Sequence, residues 1–118
     1  MKILLVFTGG GLGSIFRWAI GLLVQTQGAF SFPLATLISN LISCGILAIL
    51  LRYTEHSFLS AELRLLLFTG FCGGLSTFST FSMESMELAR NGNYAWAAGN
   101  VALSLLVCLG ILYWGLRR

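Results

Sequence analysis

The chain has 118 residues, of which 57% are hydrophobic and only 9% are charged, and its mean hydropathy is +0.88. A soluble domain carries about 25% charged residues, so this composition excludes the soluble globular class and predicts an integral membrane protein. The formal net charge is +3, but the basic residues stand mainly at the ends of apolar segments, which suits lipid headgroups rather than nucleic acid.

Four apolar segments account for nearly the whole chain. A membrane-crossing helix needs about 20 mainly apolar residues, and we predict such helices at about 3–24, 32–51, 63–90 and 94–116, in one all-α domain over residues 1–118. The distribution of Lys and Arg favours both termini in the cytoplasm. We therefore expect a multi-pass protein of the cell's inner (plasma) membrane.

The third segment is too long and too polar for a plain span. Gly73 and Gly74 precede the polar run STFSTFS at 76–82, and we predict a break in this helix near 73–76, with Ser76 or Thr77 capping a second half-helix. Exposed backbone at membrane depth is tolerated only where protein or water satisfies it. Such breaks often mark ion sites.

Two ionisable residues within the spans are functional candidates by default. Arg17 lies in the first segment and Glu84 in the third. Arg17 is equally compatible with a functional role and with a structural one, in which its side chain reaches the headgroups or pairs with a carbonyl. Glu84 is compatible with a vestibule position or with a structural partner for an arginine.

Asn40, in the middle of the second segment, must face protein, water or an ion, because an unpaired amide in hydrocarbon costs several kcal/mol. Its NH₂ group either makes a helix–helix hydrogen bond or donates to a passing anion.

Gly9 and Gly13 in the first segment form a small-xxx-small face, which predicts a helix contact.

Asn100, Ser104 and Cys108 follow one another at a spacing of four and therefore share one stripe of the fourth helix. The stripe is either a polar track or a set of packing contacts between helices.

Cys44, Cys72 and Cys108 all lie in apolar stretches, and their odd number argues against a disulfide framework. We expect them to be small apolar packing residues.

Phe78 and Phe81 are spaced i, i+3 beside Ser79 and Thr80, so rings and hydroxyls share the half-helix after the break. Phenylalanines in a membrane helix usually pack against neighbours. Aromatic ring edges, however, carry positive potential, and a small anion could lie against them without a fixed positive charge. Such binding would be weak enough for fast release.

Three stretches of the chain resemble the Fluc (CrcB) family of fluoride channels. They are GGLSTFSTF at 73–81, which is the most specific, GGGLGSIFRW at 9–18 and TLISNL at 36–41. The resemblance implies a passive fluoride-selective channel that exports the anion from the cytoplasm and so reduces its toxicity. It also implies an antiparallel, dual-topology dimer of four-helix subunits.

Residue by residue, the resemblance places five side chains in or beside the fluoride path. Those that carry over from the family pattern are Asn40, Phe78, Phe81, Ser79 and Thr80. Ser104 of the polar stripe joins them as a sixth candidate, and Arg17, Glu84 and Asn100 remain further functional candidates.

The family also implies a structural sodium ion at the dimer centre, held by the backbone carbonyls of Gly73 and Ser76. Carbonyl oxygens suit a hard cation.

The chain departs from the family at Ser76, where threonine is usual, at Ser43, where glycine is usual, and at Ser39, which is often hydrophobic. The charge bias leaves open a heterodimer with an oppositely oriented paralogue, although we favour a homodimer.

The sequence argues against two other function classes. A small multidrug-resistance-type transporter has a similar size and is dimeric, but it needs an acidic residue in the first helix, and this chain has none there. An intramembrane enzyme needs a nucleophile–base or metal constellation. The only histidine, His56, falls in the predicted aqueous loop, so we do not expect an enzyme.

Overall fold

The computed structural model describes residues 1–26, 28, 32–54 and 59–117. His56 and Arg118 lie outside this part of the chain. Four helical stretches within it are long and apolar enough to cross a membrane: Lys2–Thr26, Leu34–Tyr53, Ala61–Arg90 and Tyr94–Leu116. The expected all-α architecture with four spans is therefore confirmed.

The first, second and fourth spans are each one continuous helix: α1 (Lys2–Thr26), α2 (Leu34–Thr54) and α6 (Tyr94–Leu116). Helix α2 begins two residues later than predicted. Proline fits at a helix start, because its missing N–H is not needed there. Here the Pro33 carbonyl accepts the N–H of Leu37 at 3.2 Å, which places the proline just before the first turn.

The third span is divided into four parts. Helix α3 (Ala61–Arg64) is followed by a π-helix (Leu65–Cys72), then by α4 (Gly73–Leu75) and α5 (Phe78–Arg90). The chain is extended at the intervening residues, with ψ 153° at Ser76 and φ −149°, ψ 121° at Thr77. The predicted break exists, although the π-helical segment was not foreseen.

The glycine pair in front of the break is helical, which corrects the range expected for the interruption. Gly73 and Gly74 form α4, and a Cβ on Gly74 would collide with the carbonyl oxygen of Gly10 in α1. The glycine at this position permits close approach of two helices. The backbone itself leaves the helix only at Ser76 and Thr77.

Helix α1 packs backbone to backbone on the third span. A Cβ on Gly9 would collide with the Leu66 carbonyl, and a Cβ on Gly13 would collide with the Phe71 carbonyl. Both glycines are buried. The prediction that Gly9 and Gly13 form a helix contact is confirmed, and this contact fixes where the break lies in the subunit.

A tight turn connects α5 to α6. Gly92 has φ +79°, a left-handed conformation that glycine adopts at little cost. The N–H of Gly92 donates to Ala89 O at 3.0 Å and that of Asn93 donates to Leu88 O at 2.9 Å, which satisfies the last carbonyls of α5. The turn brings the start of α6 back alongside α5.

Candidate functional site

The break in the third span is stabilised by side chains. Thr77 caps α5, because its Oγ1 accepts the N–H of Thr80 at 3.3 Å. Asn40 of α2 makes a pair of hydrogen bonds with the backbone of Thr77. Its Oδ1 accepts the Thr77 N–H at 2.8 Å and its Nδ2 donates to the Thr77 carbonyl at 3.3 Å. The interrupted backbone is thus satisfied within the protein, as membrane depth requires.

The same residues border a groove of about 200 Å³. It lies between α2, the break, the start of α5, and α6. Its lining residues are Asn40, Cys44, Ser76, Thr77, Phe78, Phe81, Ser104, Leu105 and Cys108. Four of the six predicted fluoride-path residues are therefore brought together: Asn40, Phe78, Phe81 and Ser104.

Helices α2 and α6 each contribute an i, i+4 pair to this groove. Asn40 and Cys44 come from α2, and Ser104 and Cys108 come from α6, a spacing that places each pair on one helical face. Ser104 is only 5% exposed, and its hydroxyl oxygen is buried without a hydrogen-bond partner among the described residues. A buried hydroxyl in this state is unusual, and its role as a donor to an anion stays a prediction.

The two phenylalanines of α5 differ in their surroundings. Their ring centroids are 5.7 Å apart with an interplanar angle of 42°, which is a common tilted arrangement. Phe81 is 8% exposed and Phe78 is 76% exposed. One ring is therefore fixed by the subunit, while the other lies largely on its surface.

Ser79 and Thr80 lie beside the groove lining, at the cap of α5. The hydroxyl of Thr77 donates to Thr80 Oγ1 at 3.0 Å and lies 3.3 Å from Ser79 Oγ. Neither Ser79 nor Thr80 lines the groove. Their hydroxyls contact the capping group, and a role in an ion path stays a prediction.

Glu84 and Asn100 belong to polar contacts between helices. Glu84 Oε1 accepts a hydrogen bond from Thr36 Oγ1 at 2.8 Å, while its Oε2 is buried without a partner among the described residues. Asn100 is 1% exposed and donates to Ser85 Oγ at 2.9 Å, which in turn donates to the Phe81 carbonyl at 2.8 Å. Asn100 therefore supports the backbone that carries Phe81 and does not line the groove.

Arg17 lies apart from this constellation. It is half-buried in α1 and is absent from the lining of the groove. The structure therefore does not bring it together with Asn40, Phe81 or Ser104.

Two carbonyls at the break lose the donors that a continuous helix would give them. In an α-helix the N–H of residue i+4 donates to the carbonyl of residue i. Here the Thr77 N–H, which would serve Gly73, donates to Asn40, and the Thr80 N–H, which would serve Ser76, donates to the Thr77 hydroxyl. Among the described residues, no donor serves the carbonyls of Gly73 and Ser76, and carbonyl oxygens of this kind suit a hard cation.

We predicted that Cys44 and Cys108 are packing residues, with Cys108 also on the polar stripe of the fourth helix. Both line the groove. Their spacing was the available signal, since Cys44 follows Asn40 by four residues and Cys108 follows Ser104 by four. Cys72 behaves as expected for a packing residue, because it is 3% exposed.

The chain is similar over most of its length to several named proteins. A relative from Phocaeicola vulgatus, named fluoride-specific ion channel FluC, is 38% identical over 93% of this chain and 95% of its own length. FluC 1 of Yersinia pestis is 42% identical over 87% of the chain and 81% of its own length. FluC of Methanococcus maripaludis is 39% identical over 97% and 92%. Residues 4–116 match the family described as CrcB-like protein, Camphor Resistance (CrcB), and the chain belongs to that family.

Proposed function

We propose that this chain is a fluoride-selective ion channel through which the anion leaves the cytoplasm down its electrochemical gradient, which lowers fluoride toxicity. The observation that carries this proposal is the convergence of Asn40, the Phe78/Phe81 pair and Ser104 on one groove at a helix break. Relatives over nearly the full chain are named fluoride-specific ion channels. Conduction needs no chemical step, so the protein is a channel and not an enzyme.

Hydrogen-bond donors along the groove can replace part of the water around fluoride. The amide of Asn40 carries two N–H hydrogens, and the Thr77 carbonyl takes one of them. The Ser104 hydroxyl has no protein partner among the described residues. Each group therefore has a donor to offer an anion, and each is already held in place by its helix.

The rings supply attraction without a fixed charge. No lysine or arginine is among the residues that line the groove, so an anion there would meet ring edges and polar hydrogens only. Ring edges carry positive potential, and this attraction is weaker than an ion pair. Weak binding permits release, which conduction requires.

A structural sodium ion is the second part of the proposal. The freed carbonyls of Gly73 and Ser76 would hold it, and Gly73 is exposed on the surface of the single subunit, where a second copy could complete the site. The positive charge of the ion would stabilise the assembly at the helix breaks. A high-resolution map obtained in sodium that lacks density at these carbonyls would contradict this assignment.

The proposed assembly is an antiparallel homodimer in the inner (plasma) membrane. Phe78 at 76% exposure and the exposed Gly73 both lie at the break, where a second subunit would cover them. A heterodimer with an oppositely oriented paralogue is the competing arrangement. Fluoride conduction by liposomes that contain this gene product alone would support the homodimer, and a requirement for a second chain would contradict it.

The central test is anion efflux from liposomes reconstituted with the purified protein. Vesicles loaded with potassium fluoride are diluted into a fluoride-free medium with a potassium ionophore, and fluoride release is followed with a selective electrode. We expect rapid fluoride efflux and no chloride efflux in matched vesicles. No fluoride release, equal release of both anions, or proton-coupled export of an organic cation would contradict the proposal, and the last result would favour the transporter alternative.

A further inference from the structure

Two thiols lie inside the groove at the break. Cys44 of α2 and Cys108 of α6 both line it, and both are half-buried. The third cysteine, Cys72, is 3% exposed and is not part of the lining. The groove thus contains one accessible thiol pair.

The backbone holds this pair in place. Helices α2 and α6 run in the same direction, because Phe32 meets Trp96 near the start of both and Ala48 meets Gly115 towards their ends. Further along, a Cβ on Gly115 would lie only 2.6 Å from the Cβ of Ala48, so the helices are in close contact beyond the thiols. Both sulfurs are therefore presented by rigid helices in contact with each other.

We propose that Cys44 and Cys108 form a binding site for a thiophilic metal ion that accepts two sulfur ligands, with mercury(II) as the probe, and that an ion bound there blocks the anion groove. The blocking half of this proposal rests on the proposed function, because it requires the groove to conduct. The binding half rests only on the thiol pair and its position.

The chemistry of the site favours such an ion. Sulfur is a soft ligand that selects soft metals over hard ones, and the thiolate is the form that binds. One mercury(II) ion forms two S–Hg bonds, and each thiol releases one proton to water, so the complex is neutral. A neutral product avoids the cost of a charge in an apolar surrounding.

Two ligands on adjacent helices should bind far more tightly than one. Once one sulfur holds the metal, the second binds in an intramolecular step, and such linkage raises affinity by about 100-fold or more. Cys72 offers no second ligand from the groove. A variant that lacks either Cys44 or Cys108 should therefore bind the ion about 100-fold less tightly than wild type, whereas a variant that lacks Cys72 should bind it as wild type does.

The experiment uses the full-length protein in detergent and in liposomes. Mercury(II) is titrated into wild type, Cys44→Ser, Cys108→Ser and the matched control Cys72→Ser, and the ultraviolet sulfur-to-mercury charge-transfer absorbance is recorded. Proton release is measured in weak buffer, and fluoride efflux is measured for each variant relative to its own rate without metal. Cys44→Ala and Cys108→Ala serve as second variants should a serine variant fail to elute as a folded species.

We expect wild type and Cys72→Ser to bind one ion per chain with release of two protons, and to lose fluoride efflux at a mercury concentration about 100-fold lower than either groove variant needs. Binding as tight as that of wild type in both groove variants would overturn the site. Binding at the pair with undiminished efflux would overturn the block. Absence of efflux before metal is added would count against the proposed function, while the absorbance would still decide the thiol site.

Discussion

The two sides of the third span use opposite means of contact. Before the break, the π-helix and α4 lie against α1 mainly through glycines, with backbone on backbone; the Ser14 hydroxyl also donates to the Gly74 carbonyl at 3.5 Å, and the Phe16 and Phe71 rings are 6.2 Å apart. After the break, α5 faces α2 and α6 through side chains that leave a mainly apolar groove with a few polar groups. The glycine contact leaves no room for a ligand, and the groove contact leaves room for one. The first contact therefore serves stability, and the second is the one suited to ions.

The glycine contact should be the less tolerant of the two. Replacing Gly13 by leucine puts a side chain into the Phe71 carbonyl and the Leu75 N–H group. We expect the free energy of unfolding to fall by more than about 3 kcal/mol, because neither backbone can move away. The result should be no folded, monodisperse protein in size-exclusion chromatography. Gly11→Leu is the control, because a Cβ at Gly11 meets nothing within 4 Å. Normal elution of Gly13→Leu would contradict the close contact.

Replacing Phe81 by isoleucine tests the groove without touching the glycine contact. Phe81 is buried and paired with Phe78 at 5.7 Å, and isoleucine keeps apolar volume but removes the ring edge. We expect fluoride efflux to be abolished while elution stays unchanged. Wild-type efflux from Phe81→Ile liposomes would refute the ring-edge role.

Asn40 belongs to both kinds of contact, because it supports the break and lines the groove. Asn40→Ala leaves the Thr77 N–H and carbonyl without their partner, and a buried unsatisfied group costs about 2 kcal/mol. We expect a lower thermal midpoint together with loss of fluoride efflux. An unchanged midpoint would show that the paired hydrogen bonds do not stabilise the break.

Ser104 separates the two effects. Its hydroxyl has no partner among the described residues, so Ser104→Ala should leave the thermal midpoint unchanged and lower fluoride efflux several-fold. Ser43→Ala is the matched control, since Ser43 Oγ donates to the Cys72 carbonyl at 3.0 Å outside the groove. For Ser43→Ala we expect the free energy of unfolding to fall by about 1 kcal/mol, while the protein that folds conducts fluoride normally. A lower thermal midpoint with normal efflux for Ser104→Ala, together with reduced efflux for Ser43→Ala, would contradict the assignment of Ser104.

The sequence predicts the four spans well because bilayer thickness and hydropathy act on long stretches of chain. It also predicts a break in the third span, because a glycine pair before a Ser/Thr run weakens a helix and offers a cap. The place of the break could not be read from glycines alone. Gly74 is small because Gly10 lies against it, and that contact exists only once the helices pack.

The site could be predicted only in part, because its contacts also depend on how the helices pack. The polar character of Asn40 within a span required a partner, but the choice between a helix contact and an anion needed the Thr77 backbone in view. The structure shows the contact with the Thr77 backbone, and donation of the second amide hydrogen to an anion stays a prediction. Cys44 gave no signal by residue type, because a cysteine in an apolar stretch usually packs. Its place in the groove follows from the way α2 meets α6.

The π-helical segment has a consequence for insertions and deletions. A π-helix closes each hydrogen bond over one more residue than an α-helix, so Leu65–Cys72 holds spare length. Loss of one residue there can be absorbed by a return to α-helical geometry. The same loss within α5 would rotate everything beyond it by about 100°, and the phase of Glu84 and Leu88 relative to α2 and α6 would be lost.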